Sequence, residues 1–184
     1  MELREMVKKT VLSQGVWEVG LLPTEELVFY PEIRSICRKN TCRNYGTSWA
    51  CPPAVGTLEK CKDRLLSYRS MLLFTQKYCL EDSFDFDGMM QAMRSFKQIA
   101  VQIHRELDAY LADFILLANE GCGRCTACTY PNAPCRYPEM LHHAIEGYGL
   151  CISELAQKVG IHYGNGPDTV TYFGAVLFDL FDRK

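Results

Sequence analysis

The 184-residue sequence lacks the local signatures of the commonest enzyme classes. No G-x-G-x-x-G follows a strand-like run, and no G-x4-G-K-S/T, G-x-S-x-G or H-E-x-x-H occurs, which removes the simplest readings as a Rossmann oxidoreductase, nucleotide hydrolase, serine hydrolase or zinc protease. The C-x3-C-x2-C spacing of radical S-adenosylmethionine enzymes is missing too. No run of about 18 uncharged apolar residues appears, so no membrane-spanning helix is expected. The segment Met1-Glu-Leu-Arg-Glu-Met-Val-Lys-Lys9 has no apolar core of signal-peptide length, and a cytoplasmic setting is the expectation. An excess of one charge sign is also absent. Twenty Lys and Arg stand against 22 Asp and Glu, a formal net charge of -2, so no global field draws the chain to nucleic acid or to an anionic membrane.

What is present is an ordinary globular composition, 48% hydrophobic and 23% charged, with one unusual figure: ten cysteines. The length suits one domain, and 1–184 is read as a single cysteine-rich unit without internal repeat or linker. In a reducing cytosol, closely spaced cysteines are more often metal ligands or redox groups than disulfides. They form two dense groups separated by the cysteine-free span from Leu80 to Gly121. Gly, Asn and Pro punctuate both groups, so both are expected to be loops on a scaffold.

The scaffold reads as mixed. Thr57 is a good N-cap for a helix carrying Leu58, Cys61, Leu65 and Tyr68 and ending near Arg69. Met71 to Tyr78 suggests a strand. Met89, Met93, Phe96, Ala100, Ile103, Leu107 and Tyr110 alternate steps of four and three, which predicts a long amphipathic helix between Asp87 and about Asp113. Phe114 to Ala118 reads as a buried strand. A further helix is expected after Pro138, with Leu141, Ala144, Tyr148, Cys151 and Leu155 on one face, and Val170 to Phe178 is a last core strand. This order implies an α/β or α+β fold, a small mixed sheet packed against amphipathic helices, with two cysteine-rich metal-binding loops.

The most specific signal is Cys122-x2-Cys125-x2-Cys128-x6-Cys135. Repeated two-residue spacings wrap thiolates around one side of a compact cubane, as in ferredoxins, whose last spacing is three rather than six. The longer loop here, bent by Pro131 and Pro134, would fold back to close the same four-iron four-sulfur (4Fe-4S) cluster. Structural zinc usually takes two separated ligand pairs, so iron–sulfur is the leading expectation and zinc the alternative.

Cys37-x4-Cys42-x8-Cys51 is less typical but still dense, and suggests a second metal site. Arg38, Lys39 and Arg43 would offset thiolate charge there. Cys61 and Cys151 share helical faces with Leu65 and Leu155 respectively, so packing is their expected role, while Cys79 ends a strand. The first site then has three cysteines, and a four-iron cluster on three thiolates would leave one iron open. The adjacent His142 and His143 would point about 100° apart on a helix, so a solvated or partly packed helix start is expected rather than ligation. His104 and His162 stand alone. Tyr45, Trp49, Tyr130 and Tyr137 flank the loops and would either shield clusters or cap a small core.

The residues Cys37-x4-Cys42-x2-Tyr45-Gly46-x2-Trp49-x-Cys51-Pro52-Pro53, with the 122–135 run and the following Arg136-Tyr137-Pro138-Glu139, resemble an uncharacterised family of short, cysteine-rich, predicted metal-binding proteins, largely from anaerobic bacteria and archaea. The resemblance covers roughly Cys37 to the end and implies metal binding in an oxygen-poor cytoplasm. It names no substrate. The expected role is electron transfer, or service to a redox protein partner, without nucleic-acid or membrane partners. An iron–sulfur enzyme with an open iron and a zinc-stabilised interaction module are the alternatives.

Overall fold

The apolar runs Ser70–Cys79 and Thr169–Phe178 pair antiparallel along their full length as β2 and β5. They form the centre of a five-stranded sheet in a computed structural model that describes residues 2–119 and 121–179. Outside β2 lies β1 (Glu18–Pro23), antiparallel to it. Beyond β5 come β3 (Phe114–Ala118), antiparallel to β5, and the two-residue β4 (His143–Ala144), parallel to β3. The sheet order is β1-β2-β5-β3-β4, so the fold is α+β with a mixed sheet.

Alternate residues of the central strands enter two apolar layers, because strand side chains point to opposite faces. Leu72, Phe74, Val176 and Phe178 pack with Phe96, Ala100, Ile103 and Leu107 of α4 (Phe86–Asp108) and with Val7 and Val11 of α1 (Leu3–Ser13). Met71, Leu73, Ala175 and Leu177 pack with Cys61 and Leu65 of α3 (Leu58–Leu66) and with Leu155 and Ala156 of α5 (Ile152–Val159). Covered on both faces, β2 and β5 have little need of polar alternation, which is why they read as near-continuous hydrophobic runs. Gly174 lies opposite Phe74 in the register, and a Cβ there would collide with the Phe74 ring.

The helix after Thr57 starts as its sequence predicts, while the long helix starts at Phe86, capped by Asp85, rather than at Asp87. The Thr57 side chain accepts the Lys60 N–H at 3.3 Å, and the Asp85 carboxylate accepts the Gly88 N–H at 2.8 Å. The long helix stops at Asp108, so Tyr110 falls in the turn beyond it, where its hydroxyl meets Thr10 Oγ1 at 2.8 Å.

Other segments depart from expectation. The elements α1 and β1 carried no recognised pattern. Cys37 lies in the last turn of a helix, α2 (Pro31–Lys39), which Pro31 opens at its first position and Asn40 closes in a left-handed conformation at φ 55. The single helix expected after Pro138 is instead a 3-10 turn (Pro138–Met140), β4, a second 3-10 turn (Glu146–Tyr148) and then α5. Gly149 ends the second turn at φ 76, a left-handed conformation through which no helix continues, and a Cβ there would overlap a Leu58 methyl. Ala144, Tyr148 and Leu155 are buried all the same. Three short elements can bury what one helical stripe would.

The histidines are corrected too. His142 and His143 lie at β4 rather than at a helix start, and His142 is buried at 5% exposure. His142 Nε2 is 3.1 Å from His104 Nδ1, while His143 Nδ1 is 3.2 Å from the Tyr148 hydroxyl. His104 is therefore not alone, and neither is His162, whose Nδ1 is 2.7 Å from Glu18 Oε1.

Candidate metal centre

The first cysteine group is shaped by the end of α2. The Asn40 N–H donates to the Cys37 carbonyl at 3.0 Å, and Asn40 Oδ1 accepts the Tyr45 N–H at 3.0 Å, which folds the chain back over the helix end. Arg43 continues the turn at φ 61, and the Gly46 N–H donates to the Pro52 carbonyl at 2.8 Å. The loop is then tied to the sheet, because the Ala144 N–H of β4 donates to the Ala50 carbonyl at 2.9 Å. Cys37 thus comes from a helix, Cys42 from a turn and Cys51 from a buried loop end anchored at the sheet edge.

These three thiols line one cavity of about 360 Å³, whose wall also includes Ile36, Gly121 and Glu146. Gly121, at φ +65, faces Cys51: a Cβ on it would stand 3.1 Å from Cys51 Sγ. Burial pushes the Cys37 thiol up, with the Glu146 carboxylate and Cys42 adding and Arg34 opposing. The Cys51 thiol is pushed up to about 11, first by burial, against a hydrogen bond from Ser48 and with Cys42, Cys37 and Glu146 adding. Acidic groups that raise one another in this way hold their protons until a cation displaces them. Soft thiol donors on one cavity wall are the donor chemistry that a soft metal takes.

The second group is arranged differently. Gly121 and Gly123 both take positive φ, and Lys97 Nζ donates to the Gly121 carbonyl at 2.9 Å. The Thr129 carbonyl accepts the Asn132 and Ala133 N–H groups at 2.9 and 3.0 Å, Arg136 Nη1 donates to the Ala127 carbonyl at 2.8 Å, and the Arg124 guanidinium lies 4.9 Å from the Tyr137 ring centroid. Cys122, Cys125 and Cys135 are half-buried and Cys128 is exposed. Cys135 lines a shallow cleft with Trp49 and Pro134 rather than the 360 Å³ cavity. Among the described residues, no three His, Cys, Asp or Glu side chains close around a single point as a metal ion requires.

Of the remaining cysteines, Cys61 packs in the core, where its thiol lies 3.4 Å from the Val55 carbonyl and 3.7 Å from Arg34 Nη1. Cys79 is exposed at the end of β2. Cys151 is half-buried at the start of α5, with Sγ 3.3 Å from Ser153 Oγ. Sequence reasoning missed Glu146, Gly121 and Arg34. Only the flanking glycines of Glu146-Gly147-Tyr148-Gly149 signalled a turn there.

A thiol-lined cavity at the edge of a mixed sheet, adjoining a second cysteine loop, defines a cysteine-rich α+β protein. The chain belongs to the family described as predicted metal-binding protein (DUF2284), whose model matches residues 20–178. Neither a curated protein nor a solved structure matches it. No helix among the described residues is long and apolar enough to cross a membrane.

Proposed function

We propose that this member of the family is an iron–sulfur protein that serves a redox protein partner in the cytoplasm by electron transfer. In this reading Cys122, Cys125, Cys128 and Cys135 hold a 4Fe-4S cluster, and Cys37, Cys42 and Cys51 hold a second one. The observation that carries it is the three-thiol cavity. Cys37, Cys42 and Cys51 come from a helix end, a turn and a loop end, yet all three line the same space of about 360 Å³, the grouping of soft donors that a thiolate-bound cluster needs. The spacing of the second group supports the same chemistry. Contact between the loops, through Gly121 beside Cys51 and through Trp49, supports a relay between two centres.

The test is metal analysis of the full chain purified without oxygen. Iron and acid-labile sulfide in near-equal amounts, with broad visible absorption bleached by dithionite, are expected. Colourless protein carrying stoichiometric zinc would replace this reading with a zinc-stabilised interaction module.

A second reading is favoured by one specific feature, the presence of three thiols rather than four on the cavity wall. It makes the first cluster a reductive or Lewis-acid centre acting on a small molecule. Cyanide, used as a probe of exchangeable iron, would then perturb the spectrum of the first cluster and leave the second unchanged.

A further inference from the structure

Among the described residues, the cavity wall carries one carboxylate beside its three thiols, that of Glu146. Glu146 opens the 3-10 turn Glu146–Tyr148, and that turn is fixed from two directions. Arg34 lies one helical turn before Cys37, on the same face of α2. Its Nη1 donates to the Gly147 carbonyl at 2.6 Å and its Nη2 to the Gly56 carbonyl at 2.7 Å. The helix that supplies Cys37 therefore also grips the turn that supplies Glu146.

From the other side, Asn119 Nδ2 donates to Glu146 Oε1 at 2.8 Å. Asn119 is itself pinned to β5, because its Oδ1 accepts the Phe173 N–H at 2.6 Å and its own N–H donates to the Phe173 carbonyl at 3.0 Å. This continues the β3–β5 ladder by one more pair, using a side chain as the acceptor. A carboxylate held in this way is oriented before any metal arrives, as the ligands of preorganised metal sites are. Glu146 also acts on the thiols electrostatically, raising both Cys37 and Cys51.

We propose that Glu146 is the fourth, oxygen ligand of the Cys37, Cys42 and Cys51 site, with Asn119 as its positioning residue. The inference rests on the iron–sulfur reading above and names the ligand that the cysteine count leaves out. Three soft thiolates and one hard carboxylate make an asymmetric donor set, in which the oxygen ligand is the one an incoming small molecule displaces most readily. The position is then neither permanently open nor permanently closed.

The experiment uses full-length protein reconstituted without oxygen with ferrous iron and sulfide, and reads three quantities: iron and sulfide per chain, the rate of iron loss to a chelator, and the electron paramagnetic resonance signal after reduction. Glu146→Gln keeps the size of the side chain and an acceptor for Asn119. It is expected to lose about half of the bound iron at least ten-fold faster than wild type, with one of two signals altered. Glu146→Cys supplies a thiolate and is expected to retain that iron at least as long as wild type, with a shifted signal. Asn119→Ala is expected to speed the loss about ten-fold, the lower end of what removal of an orienting partner usually costs.

Folded Glu146→Gln protein with wild-type iron loss and an unchanged signal would overturn the ligand assignment and leave the iron–sulfur reading standing. If that variant fails to fold, an unchanged signal in Glu146→Cys decides against the assignment equally. Wild-type chain that takes up no iron and sulfide overturns the underlying reading and the assignment with it.

Discussion

Trp49 Nε1 donates to the Ala133 carbonyl at 3.1 Å, so a side chain from the first cysteine loop holds the second. The same indole meets the Tyr130 ring edge-on at 5.0 Å. The two loops are distant in sequence, and this contact makes them neighbours that share one packing unit.

Trp49→Phe removes the donor and keeps an aromatic ring. The lost bond is expected to cost about 0.5–1.5 kcal/mol, felt locally more than globally. Limited proteolysis of the metal-free protein should cut within 122–135 several-fold faster, with little change in the thermal midpoint. Equal cleavage rates would mean that the contact does not restrain the second loop.

The cysteines should separate by role. Cys51→Ser is expected to lose the iron of the first site, whereas Cys61→Ala, which removes one sulfur from the core, should keep full iron and lose about 1–2 kcal/mol of stability. Iron per chain and urea unfolding read the two effects. A Cys61→Ala protein lacking one whole cluster would transfer Cys61 from packing to ligation.

Thiol reactivity follows burial. With the Cys51 thiol pushed up to about 11 and Cys37 raised as well, both remain protonated at neutral pH. In metal-free protein, mass-spectrometric mapping with iodoacetamide at pH 7.5 should find both modified more slowly than the thiols of the urea-unfolded chain, with the gap narrowing as pH rises. Metal uptake at that pH should release close to one proton from each. Cys51 alkylating among the fastest thiols would contradict this.

Acid stability turns on the buried histidines. Burial, with His104, Arg124, His143 and Lys97 adding, lowers His142 to about 3, and burial lowers His143 to about 4. Both folded values lie below the unfolded value of about 6.5, so the unfolded chain binds more protons in between. Stability is therefore full above about pH 6.5 and falls as pH drops from there towards 4, with a slope of up to about 1.4 kcal/mol per pH unit per histidine. Urea unfolding of metal-free protein between pH 7.5 and 4.5 checks this. His142→Phe should reduce the slope by about one proton, and an unchanged slope would show that His142 is already solvated in the folded state.

The Gly174 position tests the packing of the sheet. Gly174→Ala forces its Cβ into the Phe74 ring between two covered layers and should cost about 1–3 kcal/mol. Adding Phe74→Leu should recover part of that loss in a double-mutant cycle. Additive losses would show that the ring does not depend on the glycine.

Several features of this fold are local, and local features are visible in a sequence. The stripe from Phe96 to Leu107, the cap at Thr57 and the apolar runs of β2, β3 and β5 each follow from periodicity or from a single side chain bonding its neighbour. The grouping of seven cysteines into two dense stretches was equally legible from spacing, but the helix that carries Cys37 was not. Where local pattern misled, two structures satisfied it equally: Ala144, Tyr148 and Leu155 are buried by a strand, a turn and a short helix rather than by one stripe, and Gly149 decides between them.

The amino-acid sequence by itself determined that this protein folds around a mixed sheet and that seven of its ten cysteines fall in two stretches of chain. Only the tertiary structure decided what those thiols meet. Pairing of β4 with β3, and of Ala144 with Ala50, carries Glu146 to the wall that Cys37, Cys42 and Cys51 share, and Asn119 reaches it from the end of β3. Such contacts join residues far apart along the chain, and no periodicity encodes them, because they arise where separately determined elements pack.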